Sequence, residues 1–261
     1  MRPLRFVVLP GVILLLTSAV SSCVFFRTPV SPHEYTDVPE LTYPAGSFWY
    51  EPVPPDPVLD EHSARYIERM TTEFARPEGS STRFELVLVA EGGSVPVYYA
   101  DSQTPRLSVP ITTAGFGARG VTDVPVPTYL LPDSATDGHV VIADPATGIE
   151  YDLWQMRKER GRWVASAVAI MSYQNATRHT DRFSANASGF PLGAGLIWPA
   201  ELLSETPGAI DHALVFGYPL TRLDAYVEPA TRSDGWMQDP DALPMGAHIQ
   251  LDPALDLSAV D

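Results

Sequence analysis

The short length of the apolar runs constrains the fold of this chain more than any other feature. From residue 84 on, runs rich in Val, Ile and aromatic residues span a few positions each, with Pro, Gly or Asp between them. Such runs are typical of β-strands, because an α-helix needs a longer segment with apolar residues three or four positions apart. We therefore predict a mainly β fold, a single antiparallel β-sandwich or jelly-roll domain. The candidate strands are 84–90, 95–99, 107–109, 121–126, 139–143, 149–155, 162–170, 212–218 and 247–251.

Turn and helix signals complete the expected domain. Residues 144–148, Asp-Pro-Ala-Thr-Gly, predict a tight hairpin between two strong strands. Glycines in 189–195 predict a tight crossing that packs under the sheets, and 199–203 predicts a short helix. One amphipathic helix is predicted over about 60–75, with Asp60 as its N-cap and Pro77 beyond its end. Its apolar face is expected to consist of Ala64, Ile67, Met70 and Phe74.

The N-terminus carries a secretory signal. Arg2 and Arg5 precede an apolar run over 6–17, and small residues follow up to Cys23. Residues 20–23, Val-Ser-Ser-Cys, resemble the bacterial lipobox, which implies cleavage before Cys23 and lipidation of that residue. A non-cleaved anchor is the alternative, but the run falls short of the roughly 20 residues that span a bilayer. We expect an extracytoplasmic protein that its lipid holds at the outer face of a bacterial membrane.

Three segments follow from these signals. We expect residues 1–22 to form the signal peptide, 23–58 a proline-rich tether, and 59–261 the β-sandwich domain. Proline fixes the backbone in extended conformations, so the tether is expected to hold the domain away from the membrane. The aromatic run 48–50, Phe-Trp-Tyr, is expected to dock on the domain.

Composition excludes several classes of function. The chain has 17 Lys and Arg against 32 Asp and Glu, a net charge of −15, and Lys158 is its single lysine, so we expect no nucleic-acid partner. The single cysteine excludes an internal disulfide and a zinc site of several thiolates. The six histidines show no paired ligand spacing, and the acidic turn 133–137 lacks the full calcium-loop pattern. We predict no metal and no cofactor.

Strand 149–155 supplies the first candidate site. Alternation places Glu150, Asp152 and Trp154 on one face and Tyr151 on the other. Of two neighbouring carboxyl groups, one can act as general acid and the other as general base, because their proximity raises the pKa of one of them. An indole ring can stack on a sugar ring. We therefore predict Glu150 and Asp152 as catalytic and Trp154, Tyr151 and Gln155 as substrate-binding. The alternative is a solvated outer strand face with Trp154 packed on a neighbour.

The run Glu150-Tyr151-Asp152-Leu153-Trp154-Gln155 is similar to the E-x-D-x-x-E strand of laminarinase-type jelly-roll glycoside hydrolases. The resemblance implies a catalytic role for the first carboxylates. Gln155 replaces the second catalytic Glu of that pattern, and an amide cannot protonate a leaving group.

Two histidines and one arginine supply further candidates. His139 and His212 each open a predicted strand after an acidic stretch. Near neutral pKa a histidine can act as a general base, so both are predicted as catalytic, working with Tyr151 or Tyr218; the alternative is that each caps a strand end. Arg232 is predicted to hold a substrate carboxylate, or else to pair with Asp234.

A wider resemblance covers about residues 48–257. It is to a group of secreted bacterial proteins of no known activity, and it implies an extracytoplasmic single domain without assigning any residue a role. Its motifs include 138–139, 151–155, 210–214, 229–232 and 244–246.

Two functions remain open. One is a cell-surface enzyme that cuts a polysaccharide by hydrolysis or elimination, and the other is a non-catalytic glycan-binding or envelope lipoprotein. The net negative charge favours a neutral glycan over a polyanion in either case.

Overall fold

The computed structural model describes residues 43–54, 56–72, 95–113, 121–173, 184–203 and 210–252. The predicted β-rich character is confirmed, since strands outnumber helices in these ranges. The two α-helices there are α1 (Ser63–Thr72) and α2 (Pro199–Leu203), and 3-10 turns cover Phe48–Tyr50 and Gly193–Gly195. The strands are β1 (Val97–Tyr99), β2 (Arg106–Val109), β3 (Val121–Pro125), β4 (Val140–Asp144), β5 (Ile149–Trp154), β6 (Arg157–Glu159), β7 (Arg162–Val164) and β8 (Ala167–Ser172).

A four-stranded sheet with the order β1-β4-β5-β8 is the centre of the fold. β4, β5 and β8 are antiparallel neighbours, whereas β1 runs parallel to β4. A parallel pair needs a long connection, which here contains β2 and β3. The predicted 144–148 hairpin is confirmed: the Asp144 carbonyl accepts a 2.8 Å hydrogen bond from Gly148 N–H, and Asp144 Oδ1 accepts one from Ala146 N–H.

Two short ribbons, β2–β3 and β6–β7, accompany the sheet. In the β6–β7 turn, both Arg160 and Gly161 have positive φ (50° and 79°), as a two-residue type I′ hairpin requires. The single strand predicted at 162–170 is wrong, because it divides into β7 and β8. Between them the backbone of Ala165 leaves the sheet and pairs with residues 110–112 instead.

The two faces of the four-stranded sheet are both covered. One face packs against ribbon β2–β3 around Val124, Ile142 and Leu153. The other carries Val141 and Ala143 and is covered by segments from outside the sheet. Those segments contribute Tyr43, Trp49, Phe190, Leu192, Ala194 and Trp198.

The aromatic run 48–50 docks on this second face, as the sequence predicts. Trp49 is buried and packs edge-on against Phe190, with ring centroids 5.1 Å apart. Its carbonyl accepts a 2.7 Å hydrogen bond from Ala213 N–H. The predicted crossing also packs here: a Cβ at Gly195 would lie 2.3 Å from Val215 Cγ2, so only glycine fits.

Helix α1 forms where predicted, but its buried face is different. Asp60 Oδ1 accepts a 2.8 Å hydrogen bond from His62 N–H ahead of the first turn. Ile67 is 44% exposed, whereas Tyr66 is buried and Arg69 forms an ion pair with Asp239. Polar partners in the C-terminal loops therefore set the rotation of the helix, which apolar spacing alone did not indicate.

Two further predicted strands are wrong, and another lies outside the described residues. Segment 212–218 is irregular, because its Ala213 N–H bonds to Trp49 and its Val215 N–H to Gly195, so no continuous ladder forms. Segment 247–251 forms no strand either; nearby, Met245 makes an isolated bridge to Tyr226. Candidate strand 84–90 falls outside the described ranges. Within those ranges, none of the helices has the length and apolar character needed to cross a membrane.

Candidate functional site

The two predicted catalytic carboxylates lie side by side on β5, and both are fully buried. Glu150 pairs with Ala143 across the β4–β5 ladder and Asp152 with Val141, so both side chains share the second face of the sheet. The predicted alternation of β5 is confirmed. The face is neither an open groove nor a solvated surface, because Tyr43, Trp49 and the 190–196 segment cover it.

Three hydrogen-bond donors bind Glu150 and Asp152, which we call the acid pair. Tyr43 Oη donates a 2.5 Å hydrogen bond to Glu150 Oε2, and Gly193 N–H donates one of 3.0 Å to Glu150 Oε1. Leu192 N–H donates a 3.0 Å hydrogen bond to Asp152 Oδ2. Asp152 Oδ1 is buried without a well-aligned partner among the described residues. The pair therefore fastens the N-terminal segment and the 192–193 turn to the sheet.

Burial dominates the electrostatics of this pair. It raises the pKa of Glu150, while the hydrogen bonds with Asp152 and Tyr43 act in the opposite direction. It also raises the pKa of Asp152 well above its ordinary value, and the neighbouring charge of Glu150 adds to the increase. Burial and the same two carboxyl groups also hold the pKa of Tyr43 well above its usual value. The two carboxyl groups together therefore keep a proton more readily than exposed carboxyl groups would.

His212 lies beneath the same N-terminal segment. Its Nδ1 is 3.0 Å from the Ala213 carbonyl, and its ring packs edge-on against Tyr50 with centroids 6.3 Å apart. Its Nε2 is 3.0 Å from Glu201 Oε1, an ion-pair distance whose geometry is too poorly aligned for a hydrogen bond. Glu201 Oε2 in turn accepts a 2.7 Å hydrogen bond from Trp198 N–H. Segment 43–50 thus covers the acid pair through Tyr43 and the histidine through Tyr50.

The other predicted site residues lie elsewhere. His139 Nε2 is 3.0 Å from the Ala185 carbonyl, so the two histidines have different partners. Tyr151 lies on the opposite face of β5 from the acid pair, beside Arg106, and burial raises its pKa. Arg232 lies next to Gly189, with its Cγ 3.6 Å from the position of a Cβ there. The structure therefore divides the predicted catalytic and substrate-binding residues among separate locations.

A solvent-open cleft of about 400 Å³ lies where β5 ends. Gln155, one of the residues that line it, has a φ of +50°, an uncommon conformation for a residue other than glycine. Ser166 Oγ donates a 2.7 Å hydrogen bond to Gln155 Oε1, which orients the amide. Trp154 donates from Nε1 to Asp137 Oδ1 at 3.1 Å at the same sheet end. The cleft is lined by Asp133, Ala135, Thr136, Gly138, Gln155, Met156 and Arg157.

An exposed aromatic surface lies close in sequence to the residues that line this cleft. Tyr129 is 68% exposed, and its ring lies 5.8 Å from that of Tyr98 at an interplanar angle of 54°. Tyr98 Oη both donates to the Leu131 carbonyl and accepts from Leu131 N–H, each at 2.9 Å. The loop 127–138 thus carries the aromatic surface in its first half and one cleft wall in its second.

Sequence reasoning missed Tyr43, Glu201 and Tyr129 as site residues. Tyr43 stands among prolines and Tyr129 in a loop between Pro127 and Pro132, so neither follows a strand or helix period. For the two tyrosines, the available signal was a large aromatic residue in a proline-flanked stretch.

No three His, Cys, Asp or Glu side chains in the described ranges are grouped as a metal site would require. Compared with protein-family models, curated protein sequences and solved structures, the chain matches none of them significantly.

Proposed function

We propose that this chain is an extracytoplasmic lipoprotein that binds a neutral glycan without cleaving it. The observation that carries the proposal is the contrast between two places on β5. The acid pair that would be needed for glycoside chemistry is closed beneath Tyr43, whereas the end of the same strand opens into a polar cleft.

The composition of the cleft suits a polyhydroxyl ligand. A sugar ring presents hydroxyl groups that both donate and accept, and Thr136, Gln155 and Arg157 offer side chains of both kinds along the cleft. The Gln155 amide is held by Ser166 Oγ at 2.7 Å, so it need not be ordered when a ligand arrives. Sites of this kind join a few fixed polar groups to an apolar surface.

Tyr129 and Tyr98 would supply that apolar surface. Tyr129 lies on the loop that forms the cleft wall, and Tyr98 on β1 contacts its ring. Tyr129 is exposed enough to present one face to solvent. A pyranose ring stacked on Tyr129 would extend along loop 127–138 toward Thr136. The net charge of −15 favours a neutral glycan, because it repels polyanions at long range.

The location and the finer fold belong to the same proposal. Lipidation at Cys23 would hold the domain at a membrane, and the lipobox-like residues 20–23 support it. We further propose that the sheet and ribbon β2–β3 are the two layers of a sandwich, since Val124 and Ile142 share one core between them.

A glycan-binding screen tests the proposal. The purified protein is titrated against a panel of neutral and uronate-containing polysaccharides, and the variants Tyr129→Ala and Gln155→Ala are compared with it. Each is expected to weaken binding of a neutral glycan about tenfold, equivalent to about 1.4 kcal/mol. Tyr226→Ala is the matched control, because Tyr226 is also about half exposed but lies in the C-terminal loops. Equal losses in Tyr129→Ala and Tyr226→Ala, or no binding to any glycan, would count against this site.

A polysaccharide-cleaving enzyme is a second candidate, favoured by two carboxyl groups on one face of β5 whose pKa values are raised by burial. It would require segment 43–50 to move away from Glu150 and Asp152. Reducing-sugar release and ultraviolet absorbance of unsaturated products measure hydrolysis and elimination, respectively. Product that appears with the native protein and disappears with Glu150→Gln/Asp152→Asn would establish the enzyme, whereas binding without product supports the binding protein.

A further inference from the structure

The acid pair has one hydrogen-bonding site more than its donors fill. Of its four carboxyl oxygens, three accept from Tyr43 Oη, Gly193 N–H and Leu192 N–H. The fourth, Asp152 Oδ1, is buried and lacks a well-aligned partner among the described residues. A carboxylate oxygen enclosed without a donor is costly, but the same oxygen carrying a proton becomes a donor itself. Glu150, two residues along the same strand face, is the carboxyl group that interacts with Asp152.

We propose that Asp152 carries a proton which it shares with Glu150, and that this proton makes the acid pair a pH-sensitive clasp holding segment 43–50 on the sheet. The geometry explains why a proton is needed: neither carboxyl group is neutralised by a basic side chain in the described part of the chain. Two carboxylates this close cannot both be charged in a buried site at low cost.

Among the described residues, no group around the pair would substitute for the proton. Across the ladders on either side, Glu150 and Asp152 pair with Ala143 and Val141 of β4 and with Met171 and Ala169 of β8. The titratable side chains that the described segments place around the pair are tyrosines: Tyr43 and Tyr50 on the covering segment, Tyr99 on β1 and Tyr173 after β8. His212 lies beyond Tyr50, and its ring nitrogen faces the carboxyl group of Glu201.

The direction of the pH effect follows from where the proton is held. Burial holds the pKa of Asp152 well above the ordinary value of 3.8, and opening of segment 43–50 returns it toward that value. Opening therefore releases a proton at a pH between the two values. The stabilisation of the closed segment by this proton is complete below the ordinary carboxyl pKa. It is lost as the pH rises through the raised pKa of Asp152.

Hydrogen exchange of the peptide covering 43–50 tests the clasp in the full chain. After correction for intrinsic exchange, the opening equilibrium constant of the native protein is expected to rise by up to tenfold per pH unit within this window. Asp152→Asn is expected to open less than the native protein at pH 8 and to lose this pH dependence, because the amide N–H donates to Glu150 at any pH. Asp224→Asn is the matched control, since Asp224 is an exposed aspartate whose φ of +52° suits asparagine.

Three results would overturn the proposal: opening that does not depend on pH, opening that increases toward acid, or an Asp152→Asn variant that keeps the native pH dependence. A second measurement covers the case in which Asp152→Asn does not fold. Infrared titration of the native protein is expected to show the carbonyl stretch of a buried protonated carboxyl group above pH 6, and the absence of that band would also overturn the proposal.

Discussion

Tyr43 Oη donates a 2.5 Å hydrogen bond to Glu150 Oε2 across 107 positions of sequence, and both side chains are buried. This contact joins a proline-rich N-terminal segment to the second face of the central sheet. It places the most acidic part of β5 inside the protein rather than in a groove.

Tyr43→Phe should destabilise the protein by about 1.5–3 kcal/mol, because it removes one hydrogen bond to a charged group and leaves a buried acceptor unsatisfied. Urea denaturation measures the change. Tyr129→Phe is the matched control: that ring is largely exposed, and its substitution should stay within about 0.5 kcal/mol. Equal stabilities of the two variants would show that the Tyr43 hydroxyl adds nothing to the fold.

Trp49→Ala should cost about 3–5 kcal/mol, because Trp49 is buried between Phe190 and the sheet and its removal leaves a cavity. Trp236→Ala is the control of the same residue type, since Trp236 is 59% exposed. Trp236→Ala should lower the free energy of unfolding by about 1 kcal/mol, which includes the hydrogen bond from Trp236 Nε1 to the Pro219 carbonyl. Thermal and urea unfolding compare the two, and a smaller effect at Trp49 than at Trp236 would contradict the docking of segment 48–50.

Gly189→Ala and Gly161→Ala separate backbone strain from crowding, because both glycines have nearly the same φ (+81° and +79°). A Cβ at Gly161 meets nothing within 4 Å, so only the positive φ should lower the stability of Gly161→Ala, by about 1–2 kcal/mol. A Cβ at Gly189 would lie 2.1 Å from Thr231 Oγ1, which should add about 1–3 kcal/mol. Measured unfolding free energies that agree for both variants would mean that Thr231 moves aside freely.

Cys23→Ser should release the protein from the membrane fraction of expressing cells, because a serine cannot receive the thioether-linked lipid. Fractionation followed by immunoblotting, with metabolic labelling by a radioactive fatty acid, measures both retention and lipidation. Native protein should be labelled and retained. Membrane retention of the unlabelled serine variant would replace the lipid anchor with another mode of attachment.

The strands predicted most firmly from the sequence are β4 and β5, whose pairing is local in the chain. β4, the 144–148 turn and β5 form a local hairpin, and β-branched residues with turn signals at either end suffice to identify it. Segments 212–218 and 247–251 have a similar apolar pattern but no neighbouring ladder to join. Their backbone pairs with scattered positions such as Trp49 and Gly195, and no local pattern encodes such partners.

The candidate site was harder to predict for the same reason. Alternation on β5 correctly placed Glu150 and Asp152 together on one face, since side-chain direction in a strand has a period of two. Whether that face meets solvent depends on Tyr43 and on the 192–193 turn, which are remote in sequence. The sequence by itself determined the β-rich character, the 144–148 hairpin and the shared face of the two carboxyl groups, because these follow from local periodicity and turn chemistry. Only the tertiary structure decided that the pair is closed and that the end of β5 is open, because burial depends on which distant segments cover a face.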